Sequence, residues 1–360
     1  MKSLFILTIV SIFFTTTCLN KMNMSQCNIC RFSIDVRNES ITHQLSDNKN
    51  HYLFRATESS KLDYRTSEFT IEKATNGDEC NWTLLSQEKV SGKCQTVFQT
   101  EEFIYLISRQ QYQEPLDLGY SKHKLYKISK VNGKVDELYE WNRGDSFIRG
   151  MHFNSIGNGY VFFRPSGNPM DYQLFTTDNG GREWKSYDIK MPVGKTQSKD
   201  ECLYFLSYKR NNENNLIYSI EQKSKKLDSL QFELNITDFK VGKKADYWLL
   251  GQDGDKTVLQ HYKDGISTEV KAFSEDEDFF PDRLYKYNDV IVVLASKIDK
   301  KMLGGFGGTI PKMYLSRDNG LSWMNHPLDE ALYVKPVSFY RDEQMIAHIG
   351  DGKILTCNLK

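Results

Sequence analysis

An all-β fold assembled from repeated units is what this 360-residue chain predicts. Three observations carry that expectation. Short apolar strands recur at even spacing, Asn-Gly and Asp-Gly turns separate them, and no segment sustains a 3.6-residue apolar period. Composition agrees, with 20 Tyr and 21 Phe against only 8 Pro, a balance that suits ordered strands.

The first element stands apart from that fold. Lys2 precedes an apolar run from Leu4 to Phe14 broken only by Thr8 and Ser11. Such a run spans roughly half of a bilayer's hydrocarbon core, so residues 1–18 read as a signal peptide rather than a membrane span. Cys18 follows Thr15-Thr16-Thr17, where a bacterial lipoprotein signal carries its lipidated cysteine, although the usual Leu-small-Gly/Ala pattern before it is missing. Cys18 is therefore a candidate lipidation site, and the mature chain is expected to be extracytoplasmic, periplasmic or secreted. A cysteine-containing leader is expected over 19–45 and a single β domain over 46–360.

Without Cys18 an even set remains: Cys27, Cys30, Cys80, Cys94, Cys202 and Cys357. An even number suits disulfides in an oxidising compartment, but six cysteines allow about 15 pairings and spacing does not choose among them. Two arrangements make physical sense. Cys80 and Cys94 would staple neighbouring strands, and Cys357 would join the chain ends by bridging to Cys27 or Cys30. The Cys27-Asn-Ile-Cys30 spacing has neither the strand-to-helix setting of a redox pair nor a second ligand pair for zinc.

From about residue 50 the strands follow one another: Tyr52–Ala56, Phe103–Ile107, Lys124–Ile128, Gly159–Phe163, Tyr172–Phe175, Tyr204–Tyr208, Asn215–Ile220, Tyr247–Leu250, Val258–Tyr262, Val290–Ala295 and Lys312–Ser316. Gln344–Ile349 and Lys353–Cys357 close the chain. Between them lie turns such as Asn132-Gly133, Asp264-Gly265 and Asp351-Gly352, which tolerate the positive φ of tight hairpins.

An internal repeat is explicit. Ser316-Arg-Asp318-Asn-Gly320-Leu-Ser-Trp323 fits Ser/Thr-x-Asp-x-Gly-x-x-Trp, and Thr177-Asp-Asn179-Gly-Gly181-Arg-Glu-Trp184 fits it with Asn in the Asp place. Thr75 to Trp82 keeps only the first and last positions. These segments, each after an apolar strand, resemble the Asp-box (BNR) repeat of sialidase-like β-propellers. The resemblance implies a ring of four-stranded antiparallel blades, with each box forming the turn between a blade's third and fourth strands and its Trp packing between blades. Trp184 to Trp323 spans 139 residues, about 46 for each of three blades. Seven blades are favoured on that spacing, and six fit at about 54 residues each. The last strands are expected to share a blade with the N-terminus, since ring closure hides sheet edges.

The resemblance also raises glycoside hydrolysis. Sialidases of this kind carry an Arg-Ile-Pro motif, further arginines, a Tyr-Glu pair and an acid/base Asp, because guanidiniums clamp a carboxylate while an activated Tyr attacks the anomeric carbon. Phe54-Arg55-Ala56 lacks the Ile and Pro, Asp63 follows it but the interval to Trp82 is too compressed for the family layout, and Phe163-Arg164-Pro165 lies in the wrong blade. Arg55, Asp63 and Arg164 are the weak catalytic candidates. No metal site is expected, because the seven His are scattered. No cofactor motif is found. Gly304 to Gly308 lacks the Lys-Ser/Thr of a phosphate loop, and the acidic run Glu275–Asp278 lacks calcium-ligand spacing.

Charge narrows the partner. Lys plus Arg equals Asp plus Glu at 47 each, so nucleic acid and anionic membrane surfaces are disfavoured, leaving a lipid anchor as the one membrane link. A propeller without a catalytic set binds, and the function expected is a non-enzymatic, monomeric, extracytoplasmic propeller that takes a protein partner. A periplasmic immunity or assembly protein is one such role. A sialidase-like hydrolase or glycan-binding protein is the alternative. Tyr112, Tyr120, Trp141, Arg143, Arg149, Phe279, Phe280 and Phe306 are the candidate recognition residues at one mouth, since Tyr, Trp and Arg are enriched at interfaces.

Overall fold

The computed structural model describes residues 27–31, 39–47, 49–58, 66–75, 82–111, 121–142, 146–165, 172–199, 201–207, 215–221, 224, 226–242, 246–273, 279–299, 308–327, 337–340, 344–348 and 353–358. The signal segment, Cys18, Asp63, Cys80, Tyr112, Tyr120, Arg143 and Phe306 lie outside them.

Among the described residues every regular element is a strand. After β1 (Cys27–Arg31), the first sheet comprises β2 (Glu39–Ser46), β3 (Asn50–Glu58), β4 (Thr66–Thr75) and β5 (Thr83–Ser91). The second comprises β6 (Lys93–Gln99), β7 (Phe103–Gln111), β8 (Ser121–Ser129) and β9 (Val135–Asn142). The third holds β10 (Ser146–Phe153), β11 (Gly159–Pro165), β12 (Tyr172–Thr177) and β13 (Lys185–Ile189). The fourth holds β14 (Val193–Lys199), β15 (Cys202–Ser207), β16 (Leu216–Glu221) and β17 (Leu227–Gln231). In the fifth are β18 (Asn235–Val241), β19 (Tyr247–Asp253), β20 (Lys256–Lys263) and β21 (Ile266–Ala272). The sixth has β22 (Phe280–Tyr287), β23 (Val290–Asp299), β24 (Gly308–Ser316) and β25 (Met324–Pro327). Finally, β26 (Val337–Tyr340), β27 (Gln344–His348) and β28 (Lys353–Asn358) take β1 as their fourth strand.

The result is seven four-stranded antiparallel sheets, each running in chain order from its first strand. First strands of successive sheets lie beside one another, β26 with β2, β2 with β6, β6 with β10 and onward to β18 with β22. This is a β-propeller, with those strands around its axis. The β1–β28 pairing joins the chain ends, in a register that sets Cys27 opposite Cys357. The leader expected over 19–45 therefore contains β1 and most of β2, and the ring begins well before residue 46. Polar sequence in β2 had hidden it.

Cores form between sheets. One cluster joins Tyr105, Ile107 and Leu125 of the second sheet to Phe153, Val161 and Phe163 of the third. Others do the same between the first and second, third and fourth, fourth and fifth, and fifth and sixth sheets. Second strands carry most of this burial, as Leu249 and Leu250 of β19 and Ile291 to Val293 of β23 are fully covered.

The two repeat turns connect third to fourth strands and share one hydrogen-bond pattern. Ser316 Oγ donates to Asp318 Oδ1 at 2.8 Å and accepts from Gly320 N–H at 2.8 Å, while Trp323 Nε1 donates to Gly320 O at 3.0 Å. Thr177, Asn179, Gly181 and Trp184 repeat these contacts at 3.0, 3.0 and 2.9 Å. Both glycines have positive φ, and each docks on the preceding sheet. A Cβ at Gly320 would lie 2.3 Å from Val270 Cγ1, and one at Gly181 would lie 2.8 Å from Leu125 Cδ2. Trp184 then packs on Trp141 with ring centroids 5.1 Å apart, tying the third sheet to the second. Thr75 ends β4 as Thr177 ends β12, so the degenerate copy sits at the equivalent turn.

Candidate functional site

Each described first strand from β2 to β22 carries a bulge near its beginning. The interruptions fall at Thr42, Gln95, Arg149, Gly194-Lys195, Thr237 and Asp282. A bulge leaves its extra residue out of the ladder and re-aims the chain. Six of them at matching positions place a ring of unpaired backbone around the axis, toward the face where first strands begin. Second strands end and third strands begin on the same face. Close approach of neighbouring first strands explains Gly150, where a Cβ would come 2.3 Å from Thr196 Oγ1.

Between the third and fourth sheets this face opens into a cavity of about 500 Å³, lined by Arg149, Arg164, Tyr172, Val193, Lys195 and Thr196 among others. Arg149 comes from the bulge of β10, Arg164 from the end of β11 and Lys195 from the bulge of β14. Arg149 and Lys195 are exposed, whereas Tyr172 and Val193 are buried and give the cavity an apolar wall. Lys195 Nζ lies 3.6 Å from Asp238 Oδ2 in the next sheet. Asp238 is itself buried and accepts the N–H groups of Phe239 and Leu284, both at 2.9 Å, so one carboxylate ties β18 to β22. Asp282, half-exposed, stands beside this pair, and partial desolvation by its surroundings raises its carboxyl above the ordinary range, eased by the charges of Arg283 and Lys195. Lys195 thus stands between Arg149 and Arg164 of the third sheet and the carboxylates Asp238 and Asp282 of the fifth and sixth, the latter 3.9 Å from Arg283 Nε.

The candidate residues separate accordingly. Arg149 and Arg164, which the sequence suggests for different reasons, meet in one cavity. Phe280 begins β22 on the same face and is 61% exposed, and Phe279 beside it lies under Lys297 and Lys312. Trp141 is a correction. It is buried among Tyr139, Phe163 and Trp184, so it packs between sheets and offers no surface to a partner. Arg55 lies in the first sheet, with its Nη2 2.6 Å from Glu72 Oε2, and does not line the cavity that holds Arg164. Lys195 and Asp238 were missed. The signal available was Gly194-Lys195 straight after Pro192-Val193, but without the ring a lone Gly-Lys has no meaning.

Two other polar sites lie elsewhere. On the opposite face a cavity of about 910 Å³ between the first and second sheets holds Lys130, whose Nζ donates to Asp47 Oδ2 and Thr100 O, both at 2.7 Å. In a cavity of about 300 Å³, Ser198 Oγ makes a short hydrogen bond with His152 Nδ1. His152 stacks on Tyr160, and burial pushes its imidazole down to about 4. His123 pairs similarly with Ser146 Oγ at 3.1 Å. No cluster of three or more His, Cys, Asp or Glu that could hold a metal occurs among the described residues.

No protein-family model matches this chain. No curated protein matches it either. Solved structures do. A streptogramin B lyase structure aligns at TM-score 0.57 and 14% identity, covering 93% of this chain and 99% of that one. YCF48 bound to D1 peptide aligns at 0.53 and 11%, covering 92% and 99%. The β-propeller domain of the Trilobed protease from Pyrococcus furiosus aligns at 0.55 and 8%, covering 90% and 98%. At these identities the likeness is one of fold.

Proposed function

We propose that this chain is an extracytoplasmic binding propeller that takes a protein partner on the face carrying the first-strand bulges. The observation that supports it most is the meeting of Arg149, Arg164 and Lys195 in one open cavity, on the same rigid face as exposed Phe280. Exposed Arg and aromatic side chains on a pre-organised surface are the groups that anchor protein interfaces. A fold hosts many activities, as a peptide-bound propeller and a lyase among its likenesses illustrate, so the site and not the ring carries the reading. The Asp-box reading of the two repeat turns belongs here too. Their shared geometry supports it, and it implies architecture rather than catalysis.

Location rests on the apolar segment after Lys2 and on the cysteines. The register that sets Cys27 opposite Cys357 favours a disulfide between them over one from Cys30, which faces Ile354. Formed by exchange with a protein disulfide of an oxidising compartment, it would clasp the ring.

Pull-down from the native envelope fraction, comparing wild type with Arg149→Glu and Phe280→Ala, tests the binding role. A partner retained by wild type and lost from both variants supports it. Cleavage of a fluorogenic sialoside or other glycoside, abolished by Arg164→Ala, overturns it in favour of the hydrolase.

A further inference from the structure

We infer that the Arg149–Arg164–Lys195 cavity is a receptor for one carboxylate carried on an extended peptide segment. This rests on the protein-binding reading and specifies the chemistry its partner presents. Arg149 and Arg164 bring two guanidiniums to one cavity, and neither has a carboxylate partner among the described residues. Guanidinium forks match a planar carboxylate with two parallel hydrogen bonds. Lys195 adds a point charge at the rim, half committed to Asp238 at 3.6 Å.

The surroundings select among anions. Asp238 and Asp282 flank Lys195 on the side away from the arginines, and they oppose a dianion more than a monoanion. Buried Tyr172 and Val193, with Pro192, give the cavity an apolar wall that a phosphate group alone would not use. Peptide character follows from the backbone. The bulges leave Arg149 and Gly194-Lys195 outside their ladders, so main-chain groups stand beside the cations and can pair with a partner's own main chain.

Ligand-observed NMR on the purified full chain tests this with four probes: acetyl-Ala-Glu-Ala-amide, acetyl-Ala-Gln-Ala with a free C-terminus, acetyl-Ala-Gln-Ala-amide and inorganic phosphate. The expected result is saturation transfer to one or both carboxylate peptides, with the fully amidated peptide at least tenfold weaker. The two carboxylate arms tell a side-chain source from a chain terminus. Arg149→Gln and Arg164→Gln each lower binding at least tenfold, and Arg149→Lys retains part of it. Equal binding of the amidated peptide, insensitivity to both arginine variants, or stronger binding of phosphate overturns the inference. Failure of the broader reading looks different. Peptide binding that depends on the arginines, with no partner recovered in the pull-down, sinks the partner and keeps the site. A partner lost with Phe280→Ala but kept by Arg149→Gln and Arg164→Gln does the reverse.

Discussion

Asn179 donates from Nδ2 to Glu183 Oε2 at 3.2 Å, while at the equivalent turn of the sixth sheet Ser322 Oγ donates to Asp318 Oδ2. The polarity of the pair is reversed between the two repeats. Where the fourth residue along is a carboxylate, the turn carries Asn as donor. Where it is a hydroxyl, the turn carries Asp as acceptor. In both, the Asn or Asp oxygen also accepts the backbone N–H of that fourth residue, at 3.0 Å from Glu183 and 2.8 Å from Ser322. The Asn at 179 is therefore a compensated change rather than a decayed repeat.

Swapping one partner should consequently hurt and swapping both should not. Asn179→Asp sets two carboxylates together and is expected to lower stability by about 0.5–1 kcal/mol, as like charges on adjacent surface positions do. Asn179→Asp with Glu183→Ser restores it. A double-mutant cycle by urea unfolding measures the coupling. Additive effects would remove the compensation argument.

Lys130 is only 5% exposed yet joins Asp47 in the first sheet to Thr100 and Gln99 in the second. Burial alone would raise the Asp47 carboxyl, but the hydrogen bond from Lys130, those from Lys49 and Asn50 N–H and the Lys130 charge together hold it below the usual range. Its folded value is depressed, so its contribution is complete above the unfolded carboxyl range and disappears as pH falls through the folded value. Lys130→Met strands the Asp47 charge, whose side chain is 22% exposed, and is expected to cost roughly 3 kcal/mol. Calorimetric melting at neutral pH checks this, and Asp47→Asn should cost less than Lys130→Met.

Histidines set a second pH dependence. His123 is fully buried, and burial followed by the nearby Arg109 charge pushes its imidazole down to about 4. His152 is likewise pushed down to about 4 by burial. An unfolded histidine takes a proton near pH 6.5, and these two refuse it until about 4, so stability present above 6.5 drains away as pH falls toward 4. The loss is on the order of 3 kcal/mol for each histidine by about pH 4. Urea midpoints of wild type and of His123→Gln with His152→Gln, measured from pH 7.5 to about 4.5, should converge as pH drops. Parallel curves would show that these side chains do not govern the slope.

Ring closure gives a fourth expectation. Because β1 covers the outer edge of β28, a chain lacking residues 1–31 leaves that edge open. Exposed edges pair with other chains. Light scattering after size exclusion should find self-association and a lowered melting temperature in the truncated chain. A stable monomer would mean that β1 contributes little.

Legibility in the sequence followed position in the sheet. Every strand named from the sequence proved to be a second or third strand: Phe103–Ile107 lies in β7, Tyr172–Phe175 in β12, Val290–Ala295 in β23 and Lys353–Cys357 in β28. Of these, β7, β12 and β23 carry mostly buried side chains and so read as apolar runs. Fourth strands are exposed and lose the signal, as in β13 (Lys-Ser-Tyr-Asp-Ile) and β21, where most side chains face water. First strands such as β14 (Val-Gly-Lys-Thr-Gln-Ser-Lys) are polar because they border the axis. Arg149 and Lys195 of the candidate site sit on first strands, which is why Arg149 emerged only as a residue type favoured at interfaces and Lys195 did not emerge at all. The repeat turns were legible because their contacts run between residues two to four apart, within one motif. Trp141 misled for the opposite reason, since its burial depends on Trp184 and Phe163 from the next sheet.

Site-specific photo-crosslinking in intact cells that make the protein addresses the proposed binding face most directly. A benzophenone side chain at Phe280 lies on the bulge face, and one at Ile156, 73% exposed in the turn between β10 and β11, lies on the opposite face. The account predicts a discrete protein adduct from position 280, suppressed by Arg149→Glu, and none from 156. An adduct from 156 alone would contradict it and move the interface to the other side of the ring.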